Sequence, residues 1–431
     1  MGMIRLSRRR EQIHSYKVSK TMSTMIALGL EELGDCDDYI YRLYLAKDFK
    51  CKRLVEGKNA KDRDGIEYTA DIEYKGKMYE ANIFFDYMRF DRGYSRPKFW
   101  GEKEKHLYQT ITDDIEVSMM FDENILDGFH LQLKILHTLM LDLFAVIDCN
   151  AERIHDGVWV ATAAEAKVPP APENLYLLQG VTDDATEKVW IHTHGLNRCG
   201  VIDLDIMAGV QEDAAVCGQI ISGIAEFIAL SNEIGNEYEL INIIADNAGT
   251  LYPLTWVHVD NAVKLYSDGE LGSKAQRGET HNTNRGMIFF YIDPAAMARK
   301  QITKIEDISS ELKHNIVVYK SNIETNRMSA LARERFDCIK AYIGRSEYMV
   351  RVKFGLEYNE CGDKEHIWFT PTQIIKDKVE CILSQEPFKI KNLKRGDKLV
   401  LPVDLVTDWI IYSDELGAIN ADKAFRLEIN K

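Results

Sequence analysis

The chain has 431 residues, 45% of them hydrophobic and 28% charged, with a formal net charge of −14. Such a composition describes an ordinary globular protein with room for about two to three domains. No stretch approaches the roughly eighteen uninterrupted apolar residues of a membrane span, so no membrane partner is expected. The acidic excess argues against nucleic acid as a partner, because phosphates are repelled wherever basic side chains are not clustered. A basic protein partner is compatible with it.

The first twenty residues hold six Lys/Arg against one Glu and lack the apolar core of a secretory signal, so residues 1–20 read as a loose basic arm. Eight cysteines are scattered with no C-x-x-C among them, which points to reduced thiols and a cytoplasmic location.

In chain order, residues 21–34 suggest a short helix ended by Gly34. Residues 66–85 alternate apolar and polar side chains on both sides of Lys75 and Gly76, the pattern of a β-hairpin. Arg89, Arg92, Arg96 and Lys98 then gather near Tyr87, Phe90, Tyr94 and Phe99. That mixture could hold an anion or RNA, although a solvated loop edge is the simpler reading. Residues 129–144 have apolar side chains at helical spacing and 145–148 follow as a strand, so residues 21–166 form an α+β domain with helices on one face of a sheet.

The proline-rich run 167–172 marks an internal linker to a second α+β domain over 173–300. Strands over 174–181 and 187–192 deliver the chain to a loop rich in polar side chains. A helix over 211–232 follows, with Val216, Ile220, Ile224, Phe227 and Ile228 on one face. This helix is expected to cover the sheet carrying Trp190, placing the histidine loop between sheet and helix.

His192 and His194 flank Thr193, so on an extended backbone both imidazoles share a face and could share a metal. With Asp205 they resemble the JAMM-type zinc isopeptidases, whose pattern is H-[ST]-H, seven residues, Ser, two residues, Asp. The resemblance implies zinc on His192, His194 and Asp205 with a polarised water in the fourth position. Glu165, Glu173 and Glu187 are the available bases. Two positions depart from the pattern: Gly195 stands for the proline and Ile202 for the serine. In the alternative reading the imidazoles cap loop carbonyls beside Trp190, with Asn197 and Arg198 as further candidate binding residues, while Gly195 and Gly200 supply turn geometry. His258 and His281 could join the pair in space, a structural role being the simpler reading for each.

Residues 325–431 read as a small strand meander with one helix: a helix over 330–336, then strands near 348–354, 365–369, 379–383, 398–403 and 408–411. Ala332, Arg333 and Phe336, then Glu365 to Trp368, Pro387, Lys394 with Gly396 and Asp397, and the pair Asp408 and Trp409 resemble the bacterial domain-of-unknown-function family 2314. Pro169 and Pro170 with Leu175 and Tyr176, the run from Trp190 to Gly200, and the apolar helix before 145–148 resemble the uncharacterised family 4026 over roughly residues 20–300. Neither family implies an established activity; members of the first are similar to modules found as immunity proteins of bacterial toxin systems. Glu365, His366, Trp368, Asp408 and Trp409 are candidate binding residues. Alternatively, Trp368 and Trp409 anchor the small core and the carboxylates serve as structural acceptors.

No Walker loop, dinucleotide glycine fingerprint, H-E-x-x-H or G-x-S-x-G occurs in the sequence. The expected function is that of a non-enzymatic, immunity-like interaction protein without a cofactor. The alternative is a JAMM-like zinc hydrolase.

Overall fold

The computed structural model describes residues 18–57, 65–87, 93–246, 250–278, 281–312, 316–317 and 321–429. Most of the basic arm, together with Arg89, Phe90 and Arg92, lies outside the described residues. Among the described residues the fold is α+β, built on three sheets.

The first sheet is antiparallel, in the order β2-β3-β4-β5-β1-β6-β7. Its strands are β1 (Ser23–Gly29), β2 (Lys50–Glu56), β3 (Gly65–Tyr74), β4 (Lys77–Asp86), β5 (Asp114–Met119), β6 (Leu143–Asp148) and β7 (Arg153–Asp156). The expected hairpin is β3–β4, closed by Lys75 and Gly76 with φ of 48° and 78°, the left-handed pair that a two-residue turn requires. The helix expected over 21–34 is instead β1. It lies between β5 and β6 and is buried on both faces, so it shows none of the alternation that marks a half-exposed strand.

Helices α1 (Cys36–Leu45), α2 (Glu102–Thr110), α3 (Ile125–Leu139) and α4 (Gly157–Glu165) belong to this part. α3 is buried along nearly its whole length: it packs on β1 and β5, touches α1 and α4, and meets the long helix of the next part.

The second sheet runs β15-β11-β12-β13-β10-β9-β8, with β14 on β13. It contains β8 (Leu177–Thr182), β9 (Val189–His194), β10 (Asp203–Ala208), β11 (Asn242–Asp246), β12 (Leu251–His258), β13 (Arg285–Phe290), β14 (Thr303–Lys304) and β15 (Ile316–Val317). β10 and β13 are parallel. By length and composition Gln211–Ser231 could cross a membrane. Here its helix, α5 (Ala214–Ser231), lies on β9 and β10 and buries Val216, Ile220, Ile224 and Ile228 against them, while Phe227 turns outward. One continuous core runs from the first sheet through α3 and α5 into the second.

Arg198 ties these two parts together. Its guanidinium, fully buried, donates to both oxygens of Asp148 at the end of β6 (3.0 and 2.8 Å), to the Leu175 carbonyl and to the Ser23 hydroxyl.

The third sheet, with its own core, has the order β19-β18-β17-β16-β20-β21. Strands β16 (Met349–Glu357), β17 (Lys364–Ile375), β18 (Lys378–Leu383) and β19 (Lys398–Pro402) form the meander. β20 (Val406–Ser413) then returns beside β16 and β21 (Gly417–Asn420) pairs with it, one strand more than expected. Its helix is longer than expected, Asn322–Glu334, and receives the Trp409 indole N–H at the Ala332 carbonyl (3.0 Å).

The linker is docked. Glu334 accepts the amides of Lys167 and Val168, and Arg327, clamped by Glu324 and Asp422, donates to the Pro169 carbonyl. Arg335 reaches the Thr162 carbonyl on α4.

Candidate functional site

Strand alternation decides which polar side chains meet. Val189 and Ile191 of β9 face α5, whereas Trp190 points the other way, into a second small core with Met207, Val257, Tyr266 and Phe289. His192 and His194 follow Trp190 to that side, and the register sets Asp205 opposite His192 and Met207 opposite Trp190. Both histidines lie within the strand, on the face turned away from α5, under the segment joining β12 to β13. The expected position between sheet and helix is corrected: an even spacing from Trp190 carries the imidazoles to the far face.

Asp205 is not free to bind a metal beside them. Arg277 Nη1 donates to its Oδ2 at 2.6 Å, and Arg285 donates to its Oδ1 from Nε (3.0 Å) and Nη2 (2.9 Å). All three side chains are buried. Burial alone would raise the Asp205 pKa, but the two guanidinium groups hold it below the ordinary carboxylate value. The ligand set His192, His194 and Asp205 is therefore not assembled. The departures from the isopeptidase pattern are structural as well: Gly195 has φ of 112°, closed to proline, and Ile202 is buried in the main core.

His281 takes the third place. The ligand-capable atoms of His192, His194 and His281 lie within 4.8 Å of one another, and the rings stand edge to face with centroids 4.8 to 5.1 Å apart. Asp205 positions this third ring indirectly. It anchors Arg277, whose Nη1 also donates to the His281 carbonyl (3.2 Å) while its guanidinium lies 4.6 Å over the Trp190 ring. The Trp190 ring lies against His192, centroids 4.4 Å apart and planes tilted by 31°. On the opposite side, Glu152 Oε1 is 3.5 Å from His194 Nδ1.

Burial, then the charge of Arg285, lowers the histidine pKa values, to about 3 for His192 and about 4 for His194, and His281 shifts the same way. His192 and His194 are therefore neutral near pH 7. The donors that could hold a metal are thus three imidazoles.

Other sequence candidates separate from this cluster. Arg198 is the buried weld to Asp148 and is not a surface binding residue, because every polar direction of its guanidinium faces protein. Asn197 meets Asn150, and its carbonyl caps the Gly200 turn. His258 caps the short helix at Val259. In the third sheet Trp409 is core, as expected, whereas Trp368 is half-buried on the outer face with the Lys353 ammonium 5.0 Å from its ring. Asp408 stands across from Lys353 and accepts the Trp409 amide; His366 meets the Thr407 hydroxyl. Glu365 accepts three consecutive backbone N–H groups, from Phe388, Lys389 and Ile390, and so pins a loop. These five residues do not form one site.

The basic and aromatic stretch near residue 96 leads to a second feature. All three parts converge on a cleft of about 690 Å³. Arg96, Lys98 and Phe99 enter it from before α2, Arg153, His155 and Trp159 from β7 and α4, Glu173 and Leu178 from the linker side, and Lys423, Phe425 and Arg426 from the C-terminal segment. His155 stacks on Trp159 at 4.3 Å and Phe99 meets Phe425 at 6.1 Å. The lining holds five Lys/Arg side chains, Arg96, Lys98, Arg153, Lys423 and Arg426, against three carboxylates: Asp422, which pairs with Arg327, Asp156, which accepts the Trp100 indole N–H, and Glu173.

The chain belongs to the family described as protein of unknown function (DUF4026): the N-terminal family model matches residues 23–170 and the C-terminal one residues 178–289. Residues 328–418 match the family described as an uncharacterized protein conserved in bacteria (DUF2314). No curated protein and no solved structure matches the chain.

Sequence reading missed Glu152, Arg277 and Arg285 at the histidines and Arg153, Lys423 and Arg426 in the cleft. The one signal in the sequence was the pair of arginines, Arg277 and Arg285, on either side of His281, because buried guanidinium groups need an acid such as Asp205.

Proposed function

We propose that the protein acts by binding, as a non-enzymatic interaction protein, and that the cleft where its three parts meet receives an anionic segment of the partner. The observation that carries this reading is the convergence of all three parts on one cleft with cationic and aromatic walls. Clefts between packed parts of a chain are the usual place for ligands, and aromatic walls add contact area to charge attraction. An immunity-like role is one instance of such a function, in which a partner is neutralised by occupancy. A basic partner remains compatible with the net charge of −14, which acts at long range; the cleft itself favours the opposite sign.

The test is binding of a labelled poly-glutamate peptide to the full chain. Binding that weakens with salt, and is lost in a Lys423→Glu, Arg426→Glu double variant, supports the reading. Equal binding by wild type and variant, or a preference for polylysine, refutes it.

A further inference from the structure

His192 is 1% exposed, and neither of its ring nitrogens has a hydrogen-bond partner among the described residues. Nε2 of His194, itself 6% exposed, is in the same position. A neutral imidazole carries one donor and one acceptor, and burying both without partners is unfavourable. Native proteins leave few such groups, and those they leave require a reason. Here the unpartnered nitrogens belong to rings that face one another.

We propose that His192, His194 and His281 bind one divalent first-row transition ion of the zinc class through their ring nitrogens. Three imidazoles without thiolate select borderline ions such as zinc or cobalt over calcium or magnesium, which prefer oxygen ligands. Three protein ligands also leave a fourth position for an exchangeable group. Donors on one tetrahedral zinc lie about 3.4 Å apart. The present limit of 4.8 Å closes by ring rotation and a shift of His281, which is the least buried of the three and sits on a connecting segment.

Two neighbouring features fit an ion. Glu152 Oε1, 3.5 Å from His194 Nδ1, is placed to favour the tautomer that presents Nε2, as in the carboxylate–imidazole–metal relay common around such sites. The nearby positive charges of Arg277 and Arg285 are opposed by Asp203, Asp205 and Glu152, so a dication does not enter an uncompensated cationic field. Asp205 is a positioning residue in this scheme, acting through Arg277 on His281. The site shares none of the cleft-lining residues named above, and its fate is independent of theirs.

The experiment is cobalt titration of the full chain after treatment with a chelator, followed by the visible absorption of the bound ion. Wild type takes up about one cobalt per chain with the intense bands of a four-coordinate site, and zinc displaces it. His281→Ala, at a half-buried position where folding is retained, weakens binding by more than about 100-fold, and Glu152→Gln by about 10-fold. Circular dichroism confirms that each variant is folded. Absence of stoichiometric cobalt in wild type overturns the proposal, as does equal affinity in His281→Ala. Thermal stabilisation by inorganic phosphate without any cobalt binding would make the cluster an anion site, contrary to the proposal.

Discussion

Arg198→Met removes the charge partner of a carboxylate that has no water to turn to. Arg198 and Asp148 are both 0% exposed, with two parallel hydrogen bonds of 3.0 and 2.8 Å between them. Burial acts to raise the Asp148 pKa, but Arg198, with His155 3.6 Å away, outweighs it and holds the carboxyl well below its ordinary value. Breaking such a pair from one side destabilises by about 3–5 kcal/mol, most of it from the stranded charge, which corresponds to a fall in melting temperature on the order of 10 °C. The variant also loses donors to the Leu175 carbonyl and the Ser23 hydroxyl, so the upper half of that range is expected. Urea denaturation followed by tryptophan fluorescence measures it. Without Arg198, burial dominates and the folded-state pKa of Asp148 rises above its unfolded value, so the deficit relative to wild type shrinks as pH falls toward about 4. Arg198→Met combined with Asp148→Leu recovers most of the loss. A single variant within about 0.5 kcal/mol of wild type at neutral pH would refute the assignment of Arg198 as a weld and return it to the candidate binding residues.

Three further outcomes follow from individual side chains. His130 is buried, its Nε2 donating to the Ala163 carbonyl and its Nδ1 accepting from the Tyr74 hydroxyl, and burial followed by Lys134 lowers its pKa to about 3. The unfolded chain binds the proton near pH 6.5 and the folded one does not, so stability is full above about 6.5 and falls by up to about 1.4 kcal/mol per pH unit below it; His130→Gln flattens the slope between about pH 6 and pH 5, and an unchanged slope contradicts the reading. Glu365→Ala frees the amides of Phe388, Lys389 and Ile390 and loosens that loop by about 1–2 kcal/mol, seen as faster hydrogen exchange there while the third core keeps its protection. Gly195→Ala places a Cβ 2.8 Å from the Leu175 carbonyl at φ of 112° and destabilises by about 1–3 kcal/mol in a thermal melt; no change would mean that the Gly195 turn is not strained.

The sequence made the β3–β4 hairpin legible because one face of each strand is buried and alternation survives. It hid β1 because a strand buried on both faces looks like a short apolar helix. At the site, the local rule that residues two apart share a face placed His192 and His194 together correctly, since it needs only the strand. The spacing to Asp205 also put that carboxylate on the correct face, but spacing is blind to Arg277 and Arg285, which arrive from far along the chain and engage both its oxygens. His281 joins the pair through the same Arg277, a contact that no local pattern encodes. The cleft followed the same division: Arg96, Lys98 and Phe99 stood out as a basic and aromatic stretch, while Arg153 and Arg426 reach it only through the packing of the linker and the C-terminal module.

The most direct measurement is X-ray diffraction at the zinc absorption edge from crystals of the full chain grown with zinc. One anomalous peak is expected, with nitrogens of His192, His194 and His281 at about 2.0–2.1 Å and Asp205 still held between Arg277 and Arg285. A peak bonded to Asp205 in place of His281, or no peak between the three rings, would contradict the account.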